Sequence, residues 1–267
     1  MNSKEKGPPV NRDFEDYYIR LYGSRWEGLR QSLLRESPAF SFETGLKAPY
    51  LLNYASVLAA LSLRLPGEGI VLDACAAPGG KSLVLAAALG ENVTLLSNEF
   101  SRQRRRRLEE VLNAHLPEET RRRVRVSGFD AAALGGKKNE QGRFQAILLD
   151  APCSSEAHVL GKATALAEWT PARPRFLARR QWALLSSAFL LLAPGGSLVY
   201  STCALTEEEN DGVARRLPEK YGAAVIPDAP DFTEGEKTAF GRIILPDVCG
   251  GLGPMYVARF GKGTAYR

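Results

Sequence analysis

Histidine and cysteine are scarce in this sequence. Its 267 residues include 2 histidines and 4 cysteines, and no two of the cysteines have the C-x-x-C spacing. The four thiols lie far apart along the chain, which argues against a structural zinc site and against a disulfide framework. So little histidine also disfavours a Ser-His-Asp triad. If the chain carries a nucleophile, cysteine is the better candidate.

Long apolar stretches are absent too. None approaches the roughly 20 residues that a helix needs to span a bilayer. The N-terminal segment carries several acids and has no apolar centre, unlike a signal or transit peptide. Residues 1–10, which are small, charged and proline-bearing, are expected to form a disordered tail. These features predict a cytoplasmic protein with no membrane partner, and the cysteine spacing predicts no bound metal.

The net charge is only +5, but the arginines behind it are clustered. One cluster lies within residues 102–107, a second within 121–125 and a third within 173–180. A guanidinium group pairs with two phosphate oxygens at once, so such clusters suit contact with a nucleic-acid backbone. A solvated helix face, balanced by glutamates such as Glu109 and Glu118, would have the same composition, and the sequence leaves both interpretations open.

Strand and helix patterns alternate through most of the chain. Strands are predicted over residues 70–75, 93–98, 124–127, 144–149, 198–201, 242–245 and 256–260. Helices are predicted over residues 13–35 (one or two pieces), 48–65, 81–89, 102–115 with Ser101 as its cap, and 174–192. This alternation predicts an α/β fold with a doubly wound, mostly parallel sheet. It divides into an N-terminal helical extension, residues 11–65, and a main domain, residues 66–267.

A glycine turn follows the first strand of the main domain. The run DACAAPGGKS, residues 73–82, joins that strand to an Ala/Leu-rich helix. In such sheets ligands bind at the carboxyl ends of the strands, where glycines such as Gly79 and Gly80 allow close approach of the backbone. The turn lacks the spacing of nicotinamide sites and of P-loops, and a tight turn with no ligand is the plainer alternative.

Acidic residues follow three successive strands. Glu99 lies about twenty residues after the glycine turn, where an acid commonly binds a ribose diol. Asp130 follows the third strand and Asp150 the fourth. Any one of them could be a helix cap, but three at successive strand ends indicate one rim of a binding site.

Two cysteines also follow strands. Cys153 ends the motif Asp-Ala-Pro-Cys, and Cys203 ends Ser-Thr-Cys. Two thiols at neighbouring strand ends beside a nucleotide-like site suggest nucleophilic catalysis next to a bound cofactor. Cys75 reads as a small core residue of a strand, and Cys249 lies in a glycine-rich loop without a partner.

These motifs, in this order, resemble the RNA (cytosine-5)-methyltransferase family of the Nop/Sun type. The resemblance runs from about residue 50 to 260 through DACAAPGGKS, NEF, GFDA, LLDAPCSS and PGGSLVYSTCALTEEEN. The segment LPDVCGGLGPMYVARF is most similar to the small mitochondrial and bacterial members. The resemblance implies a Rossmann-like class I methyltransferase fold over residues 66–267, S-adenosylmethionine as cofactor, and rRNA or tRNA as substrate.

The resemblance also implies roles for single residues. The expected cofactor-binding set is Ala77, Pro78, Gly79, Gly80, Lys81, Glu99, Arg104, Asp130 and Asp150. Within it, Glu99 holds the ribose and Asp130 lies beside the adenine. The expected catalytic set is Cys203 as nucleophile, Cys153 as the second cysteine that assists product release, and Asp150 as the acid of the catalytic pocket.

The chemistry explains why such residues are needed. C5 of cytosine is a poor nucleophile, and a thiolate that adds at C6 makes C5 able to attack a sulfonium methyl group. Asp150 can hydrogen-bond N3 of the ring, and Lys81 helps to keep Cys203 as thiolate. After transfer the C5 proton must leave and the C6–S bond must break, which calls for a second group such as Cys153.

Two positions depart from the family pattern, and two other functions stay open. Glu99 stands where aspartate is more usual, and Ala131 stands where glycine is frequent. Without an added RNA-binding domain, substrate selection is expected to depend on the N-terminal helices, the arginine clusters or a partner protein. The alternatives are a DNA cytosine-5 methyltransferase, in which Cys153 would be the nucleophile, and a non-catalytic RNA-binding assembly factor.

Overall fold

A computed structural model describes residues 11–264 of the chain. The predicted disordered tail, residues 1–10, lies outside this range. The strands are β1 Ala39–Phe42, β2 Tyr50–Asn53, β3 Gly69–Asp73, β4 Val93–Asn98, β5 Val124–Ser127, β6 Phe144–Asp150, β7 Leu192–Thr202, β8 Val225–Asp228, β9 Glu236–Lys237, β10 Gly241–Ile244 and β11 Met255–Lys262. The helices are α1 Arg12–Tyr22, α2 Trp26–Leu34, α3 Tyr54–Leu61, α4 Gly80–Ala87, α5 Arg102–His115, α6 Glu118–Arg122, α7 Ala131–Leu134, α8 Glu156–Gly161, α9 Ala163–Ala167, α10 Ala172–Leu191, α11 Asp211–Ala214 and α12 Arg216–Tyr221.

A nine-stranded sheet forms the centre of the molecule. Its order is β5-β4-β3-β6-β7-β11-β10-β9, and β8 pairs with the far half of β11. The strands from β5 to β7 are parallel, whereas β11 runs antiparallel to β7 and β10. The mostly parallel sheet predicted from the alternating pattern is therefore confirmed. Because the parallel strands share one direction, their carboxyl ends meet at a single edge.

Helices cover both faces of this sheet. On one face α3, α4 and α5 bury residues such as Leu83 and Leu108, and on the other α7, α10 and α12 bury residues such as Leu185 and Leu217. Strands covered on both sides read as continuous apolar runs, and residues 146–149 of β6 are indeed fully buried. The doubly wound arrangement is confirmed.

The N-terminal helices pack against α8 and α9 through aromatic rings. Phe14, Tyr18 and Trp26 form a buried cluster with Trp169. The rings of Tyr18 and Trp26 are stacked with centroids 4.9 Å apart. The predicted amphipathic segment, residues 13–35, is two helices joined by a short 3-10 turn. The domain boundary at residue 65 stays a prediction, since α3 packs within the core of the main sheet.

One predicted helix was wrong at its start. Residues 48–65 were expected to be helical, but Tyr50–Asn53 pair with Ala39–Phe42 as the antiparallel hairpin β1–β2. The helix begins only at Tyr54 because the Asn53 side chain accepts a hydrogen bond from the amide of Ala55, at 2.9 Å, as an N-cap. No helix within residues 11–264 is long and apolar enough to cross a membrane.

Candidate active site

A cavity of about 460 Å³ opens at the carboxyl edge of the parallel strands. The ends of β3, β4, β6 and β7 and the first half of α10 contribute its walls. Of the residues predicted from the sequence, those in the wall are Ala77, Lys81, Glu99, Arg104, Asp130, Asp150, Cys153 and Cys203. Motifs up to about 125 residues apart therefore meet in one site, as expected for this kind of sheet.

The two motif cysteines touch each other in this cavity. Both are free thiols, and their sulfur atoms lie 2.9 Å apart. The amide of Cys203 donates to the sulfur of Cys153 at 3.3 Å, and the hydroxyl of Ser155 lies 3.3 Å from the sulfur of Cys203. Ser155 has φ 55° and ψ 60°, a left-handed conformation that is uncommon outside glycine.

The surroundings of the two thiols favour negative charge on Cys203. The hydrogen bond from the Cys153 thiol lowers the pKa of Cys203, burial opposes it, and the hydroxyl of Ser155 lowers it again. The same hydrogen bond, together with burial, raises the pKa of Cys153. The hydrogen bond that the backbone amide of Cys203 donates to the sulfur of Cys153 opposes the rise in the pKa of Cys153, but it is a single bond of 3.3 Å. The two shifts have opposite directions, so this environment favours ionisation of Cys203 over ionisation of Cys153.

Asp150 is held from both sides. The ammonium of Lys81 lies 2.8 Å from its Oδ2, and the hydroxyl of Ser201 donates to its Oδ1 at 2.8 Å. Ser201 is the direct register partner of Asp150 between β6 and β7. Although burial alone would lower it, the charge of Asp150 raises the pKa of Lys81. Lys81, which sequence reasoning assigned mainly to the cofactor turn, is thus a cation in the middle of the site.

The other end of the cavity offers an unused acceptor on Glu99. Its Oε1 accepts from the amide of Ser101 at 2.8 Å. Its Oε2 is buried and lacks a hydrogen bond within the described part of the chain, although Arg104 approaches it to 3.3 Å without hydrogen-bond geometry. Arg104 also donates to the carbonyl of Ala77 at 2.8 Å. A buried carboxylate oxygen without a donor suits a ribose hydroxyl.

The two glycines of the turn pack against neighbouring side chains and do not line the main cavity. Gly79 has φ 122°, and a Cβ there would lie 2.9 Å from Val111 of α5, so its free side faces the helix. A Cβ on Gly80 would lie 3.0 Å from the ring of Tyr50. Pro78 and Gly80 line a smaller adjoining cavity of about 120 Å³ beside β2. Ala77 and Lys81 are the residues of the turn that reach the main cavity.

Asp130 is both a helix cap and a cavity residue. Its carboxylate accepts from the amide of Ala132 at 3.1 Å, which caps α7. The same oxygen pairs with Arg180 at 3.2 Å. Asp130, Ala131 and Arg180 together close one side of the cavity.

Several site residues escaped prediction from the sequence. Ser201 could have been found, because it ends the predicted strand 198–201, and ligands bind at the carboxyl ends of parallel strands. Ser155 and Met255 carry no such signal, although each lines the cavity, whereas Arg180 belongs to the third arginine cluster seen in the sequence. Within residues 11–264 no group of three or more His, Cys, Asp or Glu side chains is arranged to hold a metal ion.

Comparison with known proteins gives concordant matches. The model of the 16S rRNA methyltransferase RsmB/F family matches residues 60–260. Ribosomal RNA small subunit methyltransferase F of Escherichia coli is 40% identical over 185 residues, 68% of this chain and 36% of that protein. The mouse mitochondrial tRNA (cytosine(34)-C(5))-methyltransferase is 34% identical over 243 residues, 86% of this chain and 68% of that protein. The chain spans about a third of the length of its ribosomal RNA relatives.

Solved structures share the fold. NSun6 from Pyrococcus horikoshii, crystallised with SFG, has a TM-score of 0.69 at 27% identity and covers 83% of this chain and 54% of that one. A methyltransferase homolog from the same organism has a TM-score of 0.73 at 23% identity and covers 95% of both chains. The class I methyltransferase fold expected from the sequence is confirmed.

Asp73, the last residue of β3, is a fully buried acid just before the glycine turn, and its protonation state can be tested. Ser82 donates to its Oδ2 at 2.6 Å, and its Oδ1 has no partner within the described residues. Burial raises the pKa of Asp73 to about 7, so the folded protein holds a proton that the unfolded chain releases near pH 4. Stability should therefore fall as the pH rises between these two values.

Asp73→Asn, neutral at every pH, should remove that fall. Relative to the parent protein, the variant should gain on the order of 3 kcal/mol between pH 4 and pH 7. Thermal and urea unfolding over this range measure the difference, with exposed Asp16→Asn as the control. A stability difference that is constant with pH would show that Asp73 is ionised in the folded protein.

Proposed function

This chain belongs to the 16S rRNA methyltransferase RsmB/F family, and on that basis we propose that it methylates C5 of a cytosine in rRNA or tRNA with S-adenosylmethionine as the donor. The contact between the two motif thiols carries this proposal. The sulfur atoms of Cys203 and Cys153 lie 2.9 Å apart, in one cavity with the Lys81–Asp150 ion pair and with a Glu99 carboxylate oxygen that has no hydrogen bond within the described residues.

The residues at one end of this cavity fit the cofactor. Glu99 would bind the ribose hydroxyls, and Asp130 and Ala131 would lie beside the adenine. Ala77 lines the same cavity. When bound, S-adenosylmethionine supplies an electrophilic methyl group. The similar NSun6 structure contains SFG, an analogue of that cofactor, which supports the proposal.

The residues at the other end would act on the base. The Cys203 thiolate would add to C6, the ammonium of Lys81 would stabilise the negative charge that develops on the ring, and Asp150 in its acid form would hydrogen-bond N3. After methylation at C5, water would take up the C5 proton, the electrons of the C5–H bond would restore the C5–C6 double bond, and the C6–S bond would break with Cys203 leaving as thiolate. Cys153, 2.9 Å from that sulfur, is placed to assist the last step. The lowered pKa of Cys203 and the raised pKa of Cys153 favour this arrangement over the DNA-type alternative, which would use Cys153.

The arginine clusters differ in where they lie. The start of α5 and the middle of α10 border the cavity, since Arg104, Arg180 and Leu184 line it. The cluster within residues 121–125 lies at the amino end of β5, on the opposite edge, and Arg123 there donates to the carbonyls of Leu89 and Gly90. We infer that α10 contacts RNA, because Arg173, Arg175 and Arg179 are exposed beside an equally exposed Phe176. The specific RNA, a partner protein and a cytoplasmic location stay predictions.

The test of the reaction itself is bisulfite sequencing of total RNA from cells with and without the gene. A cytosine that is protected only when the gene is present identifies the product. Protection that persists in cells carrying Cys203→Ala would contradict the proposed activity.

Glu99→Ala should weaken cofactor binding. The change removes a charge-assisted hydrogen bond, so affinity should drop by about 1–3 kcal/mol. Calorimetry with S-adenosylmethionine in the presence of a chelator measures it, and binding should need no metal. Exposed Glu91→Ala, at the opposite end of β4, is the matched control. Equal affinity of Glu99→Ala and the parent would remove the ribose assignment.

The two thiols should give opposite phenotypes. Cys203→Ala should abolish methylation and never trap RNA, because no C6–S bond can form. Cys153→Ala should still form the adduct but release it slowly, leaving a protein–RNA species that is stable to denaturant. Denaturing gels with labelled rRNA and tRNA fractions distinguish them, with Cys249→Ala as control. A trapped species from Cys203→Ala and none from Cys153→Ala would reverse the two roles.

RNA affinity should depend on salt through α10. Each phosphate contact removed lowers the slope of log K against log salt by about 0.7 for single strands, so replacing Arg173, Arg175 and Arg179 with alanine should lower it by about 2. Titrations with a labelled RNA oligonucleotide at several salt concentrations measure the slope. Arg122→Ala, on the opposite edge, should leave it unchanged. An unaltered slope in the triple variant would show that α10 is only a solvated face.

A further inference from the structure

Ser154 lies between the two residues that contact the Cys203 sulfur, Cys153 and Ser155. It is fully buried. Its hydroxyl is within hydrogen-bonding distance of a carboxyl oxygen of Glu156 and of a carboxyl oxygen of Glu209. Its backbone amide donates to the second oxygen of Glu209 at 2.9 Å. One serine thus joins two acids directly behind the thiol pair.

Both acids are buried with neutral donors only. Glu156 and Glu209 are each 0% exposed. Glu156 accepts from the hydroxyl of Tyr18 at 2.6 Å and from the amide of Leu205 at 3.2 Å. Glu209 accepts from the side chain of Gln181 at 2.8 Å. Within residues 11–264 neither carboxyl group has an ion pair with Lys, Arg or His.

The number of protons follows from this geometry. The hydroxyl of Ser154 has one proton and can donate it to one carboxyl group only. The other carboxyl group, which also lies within hydrogen-bonding distance of the serine oxygen, can bond to it by donating a proton of its own. Burial, together with the neighbouring acid, raises the pKa of Glu209 to about 7, and burial raises the pKa of Glu156. Two unpaired buried negative charges would be costly, so the pair keeps one proton.

The pair also links the two cysteine segments. Glu156, which follows the Cys153 segment, binds the amide of Leu205 just after Cys203. Glu209, further along the Cys203 segment, binds Ser154. These two bonds cross between the segments and hold the left-handed turn at Ser155, which would otherwise be an unfavourable conformation.

Resting on the function proposed above, we propose that Glu156 and Glu209 are positioning residues, which share one proton through Ser154 and thereby hold Cys153 and Ser155 against the sulfur of Cys203. Loss of the proton places two carboxylates against one hydroxyl. Their repulsion loosens the turn, and the two donors that stabilise the Cys203 thiolate move away. The other titratable groups that face the pair are Tyr17, Tyr18 and Tyr22 of the N-terminal helices, Tyr200 of β7, and the two thiols.

Infrared spectroscopy detects the proton directly. In the full-length protein with ¹³C-labelled glutamate, the C=O stretch of a protonated carboxylic acid should be present at neutral pH. Glu209→Gln or Glu156→Gln should remove or shift it, whereas exposed Glu208→Gln, the matched control, should not. Absence of that band in the parent protein would overturn the shared proton.

Alkylation of Cys203 tests what the proton does. Iodoacetamide modification is followed by peptide mass spectrometry in buffers that span the titration of both acids and thiols. Ser154→Ala and Glu209→Ala should make Cys203 about tenfold less reactive near neutral pH, because its thiol becomes less acidic. Glu209→Gln, whose amide donates in place of the acid proton, should keep the high reactivity and extend it to higher pH.

A purely structural role would give a different result. Glu209→Ala would then lower the melting temperature and leave the pH profile of Cys203 alkylation unmoved, which would overturn the proposal. Neither measurement needs RNA or turnover, so both results stand apart from the bisulfite test. If the parent protein methylates RNA but Glu209→Gln and Glu209→Ala change Cys203 equally, the positioning role fails while the proposed function survives.

Discussion

The parallel pairing of β6 with β7 sets the geometry on which the rest of the site depends. It places Asp150 opposite Ser201, so that the segments that follow each strand leave the sheet side by side and bring Cys153 onto Cys203. A shift of one residue would turn Ser201 and Cys203 to the other face of the strand. Such a shift would be costly because the apolar side chains of β6 and β7 pack alternately in the two hydrophobic cores, one on each face of the sheet, and would lose those contacts. Hydrophobic packing thus fixes the catalytic distances.

Several charged side chains lie in the cavity beside β6 and β7, where water screens their charges poorly. Lys81 is the cation that compensates Asp150, and it lies among several acids and a thiolate. For other acids in the interior, burial raises the pKa, as for Asp73 and Glu209, and so favours the neutral form. The cavity thus combines ion pairs, among them Lys81–Asp150, Arg104–Glu99 and Arg180–Asp130, with neutral hydrogen bonds behind them. This arrangement limits the cost of charge burial.

The sequence predicted the strands that lie in the sheet interior and the motifs attached to their ends. β6 was predicted to within one residue of its observed bounds because buried strands read as apolar runs, and β4 and β5 were placed with their observed bounds. The hairpin β1–β2 was missed, since β1 is exposed along most of its length and shows no alternation. Glu156 and Glu209 were missed for a different reason. Their partners are distant in the chain, and a buried acid has no local pattern that separates it from an exposed one.

The bond from Tyr18 to Glu156 joins residues 138 positions apart. The strand that carries Cys203 has β6 on one side and β11, residues 255–262, on the other. Contacts from opposite ends of the described chain therefore meet behind one sulfur atom. In the chain, Cys203 precedes β11 and follows α1, so its surroundings are complete only when both have taken their places in the fold. The acidity of this thiol is consequently a property of the finished fold.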